Sequence, residues 1–198
     1  MTQGEDVNLA EADRIAAQIV AQLAPHCERI EIAGSIRRRK TEPNDIEVVA
    51  IPKPYDVGLF ESGLAKVVNR WPKVKGELGP DCRYTQRLVP LVAPLEMELA
   101  QITGSGPFKV GDVKLDLFLV TPQTWGLQLA VRTGSASFSH KVLAARWSRI
   151  GYRGDGGVLY PEDGSDLHGA GPVTFAEEED LFRFLGVPWV PPEQREVE

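Results

Sequence analysis

The stretch Asp45-Ile46-Glu47-Val48-Val49-Ala50-Ile51 constrains this chain most, because it reads as a strand carrying two carboxylates among apolar residues. Residues two apart in a strand share a face, so Asp45 and Glu47 project together while Ile46, Val48 and Ala50 point the opposite way. Acids are depleted in strands, and two this close raise each other's pKa unless a cation compensates. A third acid, Asp116, stands in Val113-Lys114-Leu115-Asp116-Leu117-Phe118-Leu119, again with apolar neighbours of opposite phase. On adjacent strands the three carboxylates would form an oxygen-only site suited to Mg²⁺ or Mn²⁺. Two such ions about 3.5–4 Å apart serve an in-line phosphoryl displacement. Periodicity alone fits an exposed acidic face equally well.

The setting favours phosphate chemistry. Gly34-Ser35 lies ten residues before the acid pair, with Arg37, Arg38, Arg39 and Lys40 between them. A Gly-Ser turn lets backbone N–H groups and a hydroxyl approach phosphate oxygens, and Arg37 or Arg38 can pair with them through the guanidinium fork.

At 198 residues, 42% hydrophobic and 25% charged, the chain has an ordinary globular composition and predicts one compact unit or two small subdomains sharing a core. The net charge of −6 argues against a nucleic-acid partner until its distribution is followed. Between Leu117 and Gly154 there is no acid, while Arg132, Lys141, Arg146, Arg149 and Arg153 lie inside. That segment is +5, and the remaining seventeen cations stand against all 28 acids. Cys27 and Cys82 show no zinc or disulfide spacing, no apolar run reaches the ~20 residues of a membrane span, and the acidic start lacks a signal peptide's basic region. A cytoplasmic protein without membrane contact is expected.

Along the chain, Asn8 and Glu11 open an amphipathic helix from Leu9 to Leu23, and Arg29–Ala33 alternates as a strand ending in the Gly34-Ser35 turn. Asp45–Ile51 is a strand, Leu59–Trp71 a helix with its weak point at Ser62-Gly63, and Glu96–Ile102 and Lys109–Val120 are β-rich. Gly104-Ser105-Gly106-Pro107 reads as hairpin chemistry, with a tight turn at Gly111-Asp112. A subdomain boundary falls near Thr121–Thr124, dividing the chain into 1–120 and 121–198. Ser135 caps a helix to about Ile150, Tyr152–Gly171 is loop with small strands, and Thr174 with Glu177 forms a capping box for a last helix. His26 and His168 have no partners at metal-ligand spacing, and the tryptophans read as core anchors.

Gly34-Ser35-Ile36-Arg37-Arg38 followed by Asp45-Ile46-Glu47 resembles the G-S … [DE]-h-[DE] signature of the nucleotidyltransferase superfamily, and specifically of DNA polymerase family X, the polymerase beta group. Lys114-Leu115-Asp116 is similar to the strand bearing that family's third metal ligand. Thr133-Gly134-Ser135 resembles its T-G-S turn, and Gly186–Glu196 its carboxyl-terminal segment. Glu47 stands where these polymerases usually have Asp, Pro43-Asn44 replaces a Ser-Gly pair, and Val131-Arg132 replaces an aromatic pair.

The resemblance implies an α+β fold, with a mixed-sheet palm backed by helices over 1–120 and a small α/β thumb-like subdomain over 121–198. It implies that Asp45, Glu47 and Asp116 bind two Mg²⁺ or Mn²⁺ ions, with Asp116 nearest the primer 3′-hydroxyl. Gly34, Ser35, Arg38 and Asn44 fall on the triphosphate side, and Arg132, Thr133, Gly134, Phe138 and Ser139 along the sugar and base. Lys114, His140, Lys141, Arg146, Arg149 and Arg153 fall on the nucleic-acid side. The expected activity is DNA-directed DNA synthesis by a monomer on primed or gapped DNA with nucleoside triphosphates, of the short-gap repair kind. Transfer without template to RNA ends or another acceptor, and an inactive nucleic-acid-binding relative, are the alternatives.

Overall fold

The computed structural model describes residues 9–54, 63–79, 81–92, 109–162 and 171–197. Asn8, residues 59–62, Glu96–Ile102, the Gly104–Pro107 hairpin and His168 lie outside these.

The amphipathic run at the amino-terminal end forms α1 (Leu9–Leu23), which buries Ala12, Ile15, Ala16, Ile19 and Leu23 along one stripe. It is followed by β1 (Cys27–Ile32), a single helical turn α2 (Gly34–Arg37) and β2 (Ile46–Pro52). Next come α3 (Gly63–Val68), β3 (Lys73–Lys75), β4 (Tyr84–Val92) and β5 (Lys109–Leu119). The strands make one five-stranded sheet in the order β1-β2-β5-β4-β3. Only β2 and β5 run parallel, and their register sets Glu47 opposite Asp116. The other neighbours are antiparallel, giving a mixed sheet.

The tight turn expected at Gly111-Asp112 is absent. Both residues lie inside β5, paired with Leu91 and Pro90, because the long β4 offers them a ladder that local glycine chemistry does not reveal. Pro90, with no N–H to donate, is tolerated where β3 has ended: β3 pairs with Arg87 and Gln86 but does not reach Pro90.

One sheet face is closed by α1 and α3, whose apolar side chains meet Ile46, Val48, Ala50, Leu115 and Leu117. Among the described residues, the opposite face is covered only in part. There Val49, Ile51, Phe118 and Val120 pack under Trp125 and Leu129 of α4 (Trp125–Thr133). The face that carries the acids is therefore dry at one end and open at the other, and the acids occupy the open end.

After α4, Ser135 caps α5 (Ala136–Phe138) by accepting a hydrogen bond from the Phe138 N–H at 3.1 Å. The helical path continues through a π-helical stretch, Ser139–Ala144, into α6 (Ala145–Arg149). A hairpin of β6 (Tyr152–Asp155) and β7 (Val158–Pro161) follows, then α7 (Glu178–Phe184). The capping box of α7 is Glu177 with Asp180, one box along from the expected Thr174–Glu177 pair. Thr174 is displaced because residues 173–175 are drawn off as an extended segment: Val173 bridges Leu159, and the Phe175 carbonyl accepts from the Gly126 N–H. Leu127, Phe138, Leu143, Phe175, Leu181 and Phe182 form the core of this region. Neither Cys27 nor Cys82 is in a disulfide. Among the described residues, no helix is long and apolar enough to cross a membrane.

Candidate active site

The acids sit in cross-strand rows on the half-covered sheet face. Asp45 is beside Lys114, whose Nζ lies 3.1 Å from Asp45 Oδ2. In the next row Glu47, Asp116 and Gln86 follow one another across β2, β5 and β4. The row after that is Val49, Phe118 and Tyr84, under α4. The strand phase places Glu47 and Asp116 on one face, whereas Asp45, expected to open the strand, lies just before β2 and reaches the site beside Lys114.

Asp116 is only 8% exposed, and its Oδ1 accepts two hydrogen bonds at 2.6 Å, from Tyr84 OH and from Gln86 Nε2. Burial and the neighbouring Asp116 push the Tyr84 phenol pKa up, so it stays a proton donor. Among the described residues, Glu47 has no such donors. Its pKa is pushed up to about 7, first by burial and then by the charges of Asp45 and Asp116, with Arg38 and Arg132 drawing it back. Arg132 lies over the Phe118 ring at 4.1 Å, and burial lowers its own pKa.

Gly34 explains how Glu47 fits. It opens α2 at φ +62°, and a Cβ there would overlap the Glu47 carboxyl. Beside it the Ser35 hydroxyl is buried with no hydrogen-bond partner among the described residues. A buried, unpartnered hydroxyl costs free energy unless something outside the protein satisfies it, and a phosphate oxygen suits.

Among the described residues, no three acidic, His or Cys side chains stand together as a ready metal cluster. Asp45 is turned to Lys114, and Asp116 commits Oδ1 to β4. The donor chemistry nonetheless fits a hard divalent cation: the set is oxygen-only, and Glu47 is crowded by two further carboxylates in a way a dication would relieve.

The expected binding residues divide. Arg38 bonds the Thr133 carbonyl at 2.8 Å and Glu196 Oε1 at 2.7 Å, so it joins α2 to the end of α4. The Ser139 hydroxyl donates to the Val131 carbonyl at 2.8 Å, under Gly134, where a Cβ would press on Phe138 and Ser139. Phe138 is buried against Phe182 in the second core and does not line the acid site. Asn44, His140 and Lys141 lie at least partly open to solvent. Arg146 donates to the Leu185 carbonyl, Arg149 is exposed, and Arg153 lies over Tyr160. A cavity of about 730 Å³ joins Glu47 and Asp116 to Tyr84, Phe118, Gln128 and Arg132 and ends at the Gly156-Gly157 turn.

Sequence reasoning missed two groups. Tyr84 and Gln86 fall on a strand it did not predict, in a Tyr-Thr-Gln-Arg run with no apolar alternation to mark it. It also missed a chain of ion pairs that ties β1 and α2 to α7. Arg29 pairs bidentately with Glu177, and Arg37 pairs bidentately with Glu178, whose Oε1 also accepts from the fully buried Arg195 at 2.6 Å. The capping-box pattern singles out Glu177, but for a local role.

Residues 128–196 match the family model described as the DNA polymerase beta thumb. This part of the chain is therefore similar to the thumb of a DNA-binding polymerase, and it follows a mixed sheet bearing three acids. Comparison with curated proteins gives no match.

Proposed function

We propose that the chain is a metal-dependent nucleotidyltransferase of the polymerase beta kind, extending a 3′-hydroxyl of primed or gapped DNA with nucleoside triphosphates, as in short-gap repair synthesis. Residues 1–120 act as its palm and 121–198 as its thumb. The observation that carries the reading is the parallel β2–β5 register, which sets Glu47 opposite Asp116, with Asp45 just before β2 and paired with Lys114 of β5. The thumb match over 128–196 supports DNA as the acceptor.

In this reading Asp45, Glu47 and Asp116 hold two Mg²⁺ or Mn²⁺ ions. Such ions, when bound, lower the pKa of an attacking hydroxyl and neutralise charge on the triphosphate and the departing pyrophosphate. The Ser35 hydroxyl and α2 backbone receive a phosphate, and Arg38 adds positive charge beside Glu47 while Thr133 and Glu196 hold its guanidinium. Asp116, fixed from β4, orients the primer hydroxyl. Lys114 leaves Asp45 for the primer phosphate, and Arg132 closes the site from α4 along the sugar. Arg149 and Lys141 meet the template-side backbone.

Primer extension with each nucleotide supplied singly, with and without a template strand, tests this. Incorporation directed by the template base supports the proposal. Untemplated addition transfers it to the terminal-transferase alternative, and absence of transfer with Mg²⁺ and with Mn²⁺ refutes it.

A further inference from the structure

A carboxylate that must serve a cation and a reacting hydroxyl has two soft torsions to fix, χ1 and χ2. The protein spends two side chains on one oxygen of Asp116. Gln86, directly opposite it in the β4–β5 register and 8% exposed, donates Nε2–H, and Tyr84, one row along, reaches back diagonally with its hydroxyl. The Tyr84 ring is itself held by stacking on Phe118, with centroids 5.1 Å apart and planes 27° from parallel. Among the described residues, Asp45 and Glu47 receive no comparable pair of donors. Both donors on Asp116 are neutral, so they fix the carboxylate without bringing a charge that would repel a dication. Of the nearby cations, Arg132 and Lys114 act on Asp116 through their charge, while the ion pair of Lys114 is made with Asp45.

We propose that Tyr84 and Gln86 are positioning residues for Asp116: by committing Oδ1 to β4 they lock the carboxylate rotamer and leave Oδ2 as the oxygen offered to the site. The inference rests on the acid-triad reading above. It accounts for two polar side chains, Tyr84 and Gln86, in a strand that lies between two neighbours.

Mn²⁺ affinity, measured by titration calorimetry without nucleotide, and single-nucleotide transfer kinetics are compared for wild type, Asp116→Asn, Tyr84→Phe and Gln86→Leu. Tyr84→Phe keeps the stack on Phe118 and removes only the hydroxyl; Gln86→Leu keeps the volume. Each positioning variant is expected to lose about tenfold in Mn²⁺ affinity and in kcat, while KM for the nucleotide stays within about twofold, the range outer-shell partners of metal ligands show. Asp116→Asn should lose both functions. If Asp116→Asn is impaired but both positioning variants bind and turn over like wild type, the positioning role is overturned and the site reading stands. If Asp116→Asn binds Mn²⁺ like wild type, the site reading fails and takes this inference with it. Should one variant not fold, as judged by its thermal transition, the other decides.

Discussion

Gly34 and Glu47 occupy the same small volume at the head of α2: the glycine has φ +62°, and the space a side chain would fill there is taken by the Glu47 carboxyl. Two constraints converge on one residue, a left-handed backbone and a close approach. Gly34→Ala is therefore expected to destabilise the protein by about 1–3 kcal/mol, through strain and a displaced Glu47. Denaturant unfolding measures the loss, and an alanine variant as stable as wild type contradicts the packing.

Glu47 should make stability fall as pH rises. Its folded pKa of about 7 lies above the 4.5 of the unfolded chain, so folding takes up a proton between these values, and the penalty is complete above pH 7. A tenfold difference in proton affinity between the folded and unfolded chain is worth about 1.4 kcal/mol, which bounds the penalty at roughly 3 kcal/mol. Glu47→Gln should match wild type near pH 4.5 and exceed its stability at pH 8. Mg²⁺ should narrow the gap at pH 8 by stabilising wild type alone. Equal unfolding midpoints at pH 8 without metal would count against the crowding of the three acids.

Glu178 behaves in the opposite sense. Burial alone would raise its pKa, but hydrogen bonds from Arg37 and Arg195, and their charges, hold it below the ordinary carboxylate value. Its contribution is thus full above the unfolded value of 4.5 and is lost as pH falls through the lower folded pKa. Glu178→Gln leaves two guanidinium groups facing a neutral amide in a buried place, which should cost about 3–5 kcal/mol at pH 7. Part of the wild-type acid sensitivity should vanish with it, as unfolding curves at pH 7 and pH 3 would report.

Affinity for DNA should rest on few cations. Arg149 is exposed, whereas Arg146 also holds the Leu185 carbonyl and therefore packs as well as binds. Arg149→Ala is expected to lower the log–log salt slope of duplex binding by about 0.9, with the thermal transition unmoved. Arg146→Ala should lower both slope and stability. An unchanged slope in Arg149→Ala removes that residue from the interface.

The local part of this architecture was legible from the chain itself. The stripe of α1, the alternation of β2 and β5 and the Ser135 cap each rest on residues close in sequence, so period and side-chain chemistry suffice. The phase of Glu47 and Asp116 likewise followed from each strand alone. What remained hidden depends on partners far away. β4 is polar at Tyr84 and Gln86 because they meet Asp116, and at Thr85 and Arg87 because Thr85 bonds the Lys75 and Gly76 carbonyls and Arg87 bonds Thr85; Gly111-Asp112 extends because β4 lies alongside. Arg37 and Arg38, expected at a phosphate, spend hydrogen bonds on Glu178, Glu196 and Thr133, which no local pattern announces. α4 was missed for the same reason: its apolar face is defined by Val49, Ile51 and Phe118, on strands elsewhere in the sequence.

The ion pairs that tie β1 and α2 to α7 and to the segment after it also bear on the order in which the molecule assembles. Arg37 meets Glu178 across 141 positions, Arg29 meets Glu177 across 148, and Arg38 meets Glu196 across 158. Contacts so remote carry a large loop-closure entropy, so they gain free energy only after the intervening chain has condensed. The strands of the sheet and the apolar cluster around Phe138 and Phe182 are therefore expected to gather first, and the charges to meet last. Weakening Glu178 should then accelerate unfolding while leaving the refolding rate almost unchanged, the signature of a bond absent from the transition state.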